Sequence, residues 1–85
     1  MSAPKAFDCV DCNVNTLHNG EYYMLRDEVW EATGLSSGML CVGCAEHRLG
    51  RRLRACDFAD ALINVPGGVP WNPQSVRLLN RLLSV

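Results

Sequence analysis

The chain has 85 residues, enough for one domain. A hydrophobic share of 48% and a charged share of 20% exclude wholesale disorder. The net charge of −1 is far from the strongly basic balance of a typical nucleic-acid-binding domain, and no apolar run approaches the roughly 18 residues of a membrane span. A core this small leaves a fold marginal on its own, so a disulfide, a metal or a partner subunit is expected to reinforce it.

Residues 1–7 read as a flexible lead. With no apolar h-region in Met1–Asp8, no secretory signal is expected, and a reducing, cytoplasmic setting follows. Cys9-Val10-Asp11-Cys12, followed by Asn13 and Asn15, predicts a tight turn. Asn19-Gly20 is a further turn signal. Glu21–Leu25, aromatic and apolar, predicts a short strand. Asp27 is placed to cap a brief helix over Glu28–Thr33, and Gly34 is placed to end it.

Met39-Leu40 predicts a second short strand leading into Cys41-x-x-Cys44. From Cys41 the apolar spacing turns helical, with Val42, Ala45, Leu49, Leu53 and Cys56 in one sector facing the core. Gly50 is the weak point of that helix. Ala55–Ala61 predicts one further helical turn. Asn64–Pro70, with two prolines and two glycines, breaks the chain. Asn72-Pro73 then supplies a cap and first-turn proline for a last helix. There Val76, Leu79, Leu82 and Leu83, with Leu78 at the edge, form an apolar stripe opposite Arg77, Asn80 and Arg81. Trp30 and Trp71 read as packing residues, with Trp71 pinning the last helix.

Two Cys-x-x-Cys pairs in one small chain point to a single structural Zn2+ held by Cys9, Cys12, Cys41 and Cys44. Each pair lets two thiolates reach one tetrahedral ion, and four thiolates close its shell. A turn, a strand and a second pair opening a helix together describe a treble clef. The expected fold is therefore a small α+β treble-clef-type zinc domain over residues 8–64. A Pro/Gly linker over 65–72 and a C-terminal amphipathic helix over 73–85 complete it. Disulfides among the cysteines and a redox Cys-x-x-Cys pair are the competing readings. His18 or His47 replacing one thiolate is another. Cys56 reads as a buried core residue.

For function, the treble clef raises a degenerate His-Asn-His-type nuclease, whose candidate groups are His18, His47, Glu46 and Asp57. Two separated histidines make a poor catalytic set, and no phosphate loop or nucleophile motif accompanies them, so no enzyme is expected. Arg48, Arg51, Arg52 and Arg54 are candidate phosphate contacts in a nucleic-acid-binding reading. Pairing of Arg48 and Arg52 with Glu28 or Glu31 is the competing structural reading. If the last helix stays undocked, Leu79, Leu82 and Leu83 are candidate contacts for a protein partner or a second copy. No membrane association is expected.

Cys9-Val-Asp-Cys12, Glu21-Tyr22-Tyr23-Met24, Asp27-Glu28-Val29-Trp30, Met39-Leu40-Cys41-x-x-Cys44, Arg48-Leu49-Gly50-Arg51-x-Leu53 and Asp57-Phe58 resemble a family of small uncharacterised proteins of bacteriophages and prophage regions. The resemblance covers roughly residues 8–64. It implies an intracellular zinc-binding protein with the four cysteines as ligands, and it implies no activity. These considerations together favour a non-enzymatic, zinc-stabilised binding module that engages a host or phage protein, with nucleic-acid binding as the alternative.

Overall fold

The computed structural model describes residues 7–69 and 73–84. Most of the expected lead, the Asn72 cap and Trp71 lie outside the described residues. The ordered elements are three short helices, α1 (Asp27–Thr33), α2 (Val42–Leu49) and α3 (Val76–Leu82), and two single 3-10 turns, Ala55–Asp57 and Leu62–Asn64.

The expected strands are reduced to isolated bridges. Cys9 pairs with Met39 in parallel, Leu25 with Phe58 antiparallel and Asp8 with Asn15 antiparallel. The fold is therefore helix-rich, with little of the β component that an α+β domain implies. Met24 shows why pairing stops. Its N–H donates to the Asn64 side-chain oxygen at 3.0 Å, and its carbonyl accepts from the Asn64 amide at 2.8 Å and from the Ala59 N–H at 3.0 Å. A buried side-chain amide has replaced the neighbouring strand, and it satisfies the same backbone groups.

Helix α1 begins one residue earlier than expected. Arg26 occupies the extended N-cap position without a side-chain cap, and Asp27 stands with Glu28 in the first turn. There their carboxylates face the positive end of the helix dipole. Gly34 ends the helix in the left-handed conformation (φ 78°), its N–H bonded to the Glu31 carbonyl. Helix α2 is shorter than the apolar spacing suggested. Gly50 is its terminus, not an interior weak point: at φ 72° its N–H returns to the Glu46 carbonyl at 2.9 Å. Left-handed backbone is nearly free of strain for glycine and closes helices for that reason. Leu53 still reaches the core, 1% exposed, but from chain beyond the end of the helix. Cys56, expected in the core, is exposed on the first 3-10 turn.

Helix α3 differs most from expectation. Ser75 caps it, its hydroxyl accepting from the Leu78 N–H at 3.0 Å, so the helix starts after the expected Asn72-Pro73. The buried contact is Leu78, 0% exposed, whereas Val76 and Leu83 of the expected apolar stripe are 85% and 69% exposed. Leu79 is half-buried, and Leu82 packs against the core from a half-buried position. The helix is rotated because Arg77 and Arg81, expected to face solvent, reach back to Glu21 and Glu46.

The core gathers Tyr23, Leu25, Leu40, Val42, Leu53 and Leu78 around Cys9 and Cys41. Tyr23 stacks on Trp30, with ring centroids 6.0 Å apart, and meets Phe58 edge-on at 5.8 Å. The C-terminal segment is attached at Gly20, which has φ +73° and whose carbonyl accepts from the Ser75 N–H at 2.8 Å. A Cβ there would stand 2.7 Å from the Pro73 carbonyl oxygen and the Ser75 nitrogen. Gly20→Ala is therefore expected to lower stability by about 2 kcal/mol in urea unfolding, from backbone strain and a clash that cannot relax locally. An unchanged midpoint would refute the close crossing.

Candidate metal centre

The first cysteine pair sits on a hairpin built by its own polar residues. Asn13 adopts a left-handed conformation (φ 66°), which asparagine tolerates. The Asn13 N–H donates to the Cys9 carbonyl at 2.8 Å, and the Cys9 N–H to the Val14 carbonyl at 2.8 Å. Asn15 closes the base: its amide donates to Asp8, and its side-chain oxygen accepts from the Leu17 and His18 N–H groups. The second pair opens α2, with Cys41 as N-cap residue and Cys44 within the first turn. The Val10 N–H, donating to the Met39 carbonyl at 2.9 Å, ties the two stretches together.

This arrangement brings the Sγ atoms of Cys9, Cys12, Cys41 and Cys44 within 4.8 Å of one another. Cys12 Sγ and Cys41 Sγ are 3.7 Å apart. A tetrahedron of thiolates about 2.3 Å from a central ion has edges of about 3.8 Å, so the group has the size that one metal ion requires. All five cysteines are free thiols, which leaves the disulfide reading without a bond. His18 and His47 are both exposed, and neither joins the sulfur group.

The surroundings favour charged sulfur at Cys9 and oppose it at Cys41 and Cys44. Burial opposes ionisation of Cys9, but hydrogen bonds from the Cys41, Cys12 and Asp11 backbone outweigh it and bring the thiol down to about 7. Burial is the largest cause raising the Cys41 and Cys44 thiols, and the neighbouring cysteine sulfurs add to it. The Tyr23 hydroxyl is buried with no hydrogen-bond partner among the described residues. It shares the core cluster of Cys9 and Cys41. An orphaned donor in that cluster fits a metal–thiolate shell, whose sulfurs are hydrogen-bond acceptors.

Four arginine–carboxylate pairs brace the fold, three of them joining distant stretches of chain and the Arg51–Asp57 pair closing a local loop. Arg48 on α2 grips Asp11, inside the first cysteine turn, through two bonds of 2.9 and 2.7 Å. It also donates to the Thr33 carbonyl at the end of α1. The guanidinium holds the Asp11 carboxyl below its usual range. Arg51 grips Asp57 in the same two-pronged way, and Asp57 also accepts from the Arg54 N–H.

Glu21, 3% exposed, accepts from Arg77, from the Ser75 hydroxyl and from the Val42 N–H at the start of α2. Glu46 accepts from Arg81 and from the Leu53 N–H. Burial would raise both glutamates, but these donors outweigh it and their pKa values fall.

No protein-family model matches the chain, nor does a curated protein or a solved structure. Of the arginine cluster, Arg48 and Arg51 are engaged within the fold. The partner of Arg48 is Asp11 in place of the expected Glu28 or Glu31. The Arg52 and Arg54 side chains are exposed and make no ion pair among the described residues. Of the nuclease candidates, Glu46 and Asp57 are engaged as acceptors inside the fold, and the two histidines are exposed on different segments. The pairing of Glu21 with Arg77 and of Glu46 with Arg81 has no signal in the sequence, which sets both arginines opposite the apolar stripe; nothing in local spacing announces pairs 56 and 35 residues apart. No helix of the described residues is long and apolar enough to cross a membrane.

Proposed function

We propose that this chain is a non-enzymatic, zinc-stabilised binding module of treble-clef type, encoded by a phage or prophage and cytoplasmic, that engages a host or phage protein. The observation carrying this reading is the group of four cysteine sulfurs within 4.8 Å of one another. Zinc is favoured because it accepts four thiolates in a closed tetrahedral shell and organises small folds without redox chemistry of its own. Protein recognition is favoured over nucleic acid because Arg48 and Arg51 are tied to Asp11 and Asp57, which leaves Arg52 and Arg54 as the available cluster cations. Two guanidinium groups on a chain of net charge −1 offer little to a phosphate backbone.

Native mass spectrometry of the purified chain is expected to show one zinc ion per molecule. An iron adduct, or a metal-free chain that stays folded, would overturn the assignment. In the same preparation, labelled DNA and RNA are expected to show no gel shift at low salt. A salt-sensitive shift weakened by Arg52→Ala and Arg54→Ala would favour the nucleic-acid reading instead.

A further inference from the structure

A cavity of about 510 Å³ opens between α1 and the loop that leads into the second cysteine pair. Tyr22, Met24, Trp30 and Met39 give it an apolar, polarisable lining, and Asp27 and Glu31 add two carboxylates. The two acids are four residues apart on α1, on one face of the helix. Both are exposed, and neither forms an ion pair among the described residues. Asp11, Glu21, Glu46 and Asp57 are each paired with an arginine, whereas Asp27 and Glu31 bring two carboxylates without an arginine partner among the described residues to this aromatic groove.

The lining is braced. Trp30 stacks on the fully buried Tyr23, and Tyr22 meets Phe7 edge-on at 5.2 Å. Met39 is pinned by the backbone bond to Val10 in the first cysteine turn. Aromatic faces attract cations, and guanidinium combines that attraction with two-pronged bonding to carboxylates. An anionic ligand would meet two like charges.

We propose that this groove binds an arginine-bearing segment of a partner protein, with the guanidinium held by Asp27 and Glu31 beside Trp30. The inference rests on the binding-module reading and names the chemistry of its partner.

The test is an NMR titration of the isotope-labelled, zinc-loaded full chain. The probe is a capped hexapeptide with two arginines separated by leucine; its counterpart carries glutamates instead. The arginine peptide is expected to shift the amides of Tyr22, Trp30 and Met39 saturably, and the glutamate peptide to leave them unmoved. Glu31→Lys, at an exposed position, is expected to weaken binding by about tenfold by placing like charge against the probe, while the rest of the spectrum keeps its dispersion.

No saturable shift with the arginine peptide would overturn the groove proposal. An equal response to both peptides, or shifts confined to α3, would do the same. Zinc content measured on the same sample separates the two readings. A zinc-loaded chain that ignores the peptide refutes the groove alone, whereas a chain that never holds zinc refutes the parent reading.

Discussion

Removing the metal is expected to unfold the chain. Chelation of the purified protein should collapse the dispersion of its amide spectrum and most of its helical circular dichroism, and Cys44→Ser should give the same state without chelator. The size of the effect follows from comparing two magnitudes. Structural zinc contributes about 10–16 kcal/mol of apparent binding free energy in finger peptides. The whole stability of a small domain is about 5–15 kcal/mol.

Among the described residues, the two halves of the site are otherwise joined by the Cys9–Met39 bridge with its Val10–Met39 backbone bond and by the Arg48–Asp11 pair, which is partly exposed and screened by water. Cys9 and Cys41 belong to the core cluster itself, so releasing the sulfurs also loosens Tyr23 and Leu40, which pack with them. A metal-free chain that keeps its dispersion would show that the apolar core suffices.

The cysteine group was legible because its information is local. Two residues between cysteines set a turn, and the repeat of that spacing implies a shared ion whatever lies between. Gly34 was legible as a helix stop because it follows a short, clearly bounded apolar pattern. Gly50 was misread because apolar periodicity continues to Leu53 and Cys56 by coincidence, and spacing alone does not separate an interior glycine from a terminating one. The facing of α3 was misread for a deeper reason. An apolar stripe predicts docking only where the surface opposite is apolar. Here the receiving surface presents the carboxylates of Glu21 and Glu46, so Arg77 and Arg81 turn inward and Leu78, between them, becomes the buried contact. Those partners lie 56 and 35 residues away along the chain, beyond any local pattern.

That inversion makes Glu21 the residue whose loss should matter most after the four clustered cysteines. Its carboxylate joins two helices at three points: the first turn of α2 through Val42, the cap of α3 through Ser75 and the body of α3 through Arg77. Glu21→Ala leaves a buried N–H and a guanidinium without their acceptor, and breaking such a pair costs about 3–5 kcal/mol when both partners are buried. The Arg77 side chain is 44% exposed and can turn to water, so the lower end, about 3 kcal/mol, is expected in urea unfolding of the zinc-loaded chain.

Glu21→Gln keeps an acceptor for the Val42 N–H but loses the charge, so it should fall between wild type and Glu21→Ala. The pH dependence has a definite sign. Burial favours the neutral acid, but Arg77 and the two other donors win, and the folded carboxyl titrates below its ordinary value of 4.5. Stability from ionised Glu21 is therefore fully present above that ordinary value and is lost as pH falls through the lowered one. The difference in unfolding free energy between wild type and Glu21→Gln should be flat at neutral pH and shrink on acidification. A difference that grows with acid would mean the carboxylate is destabilised in the fold, and the inward turn of Arg77 would then need another cause.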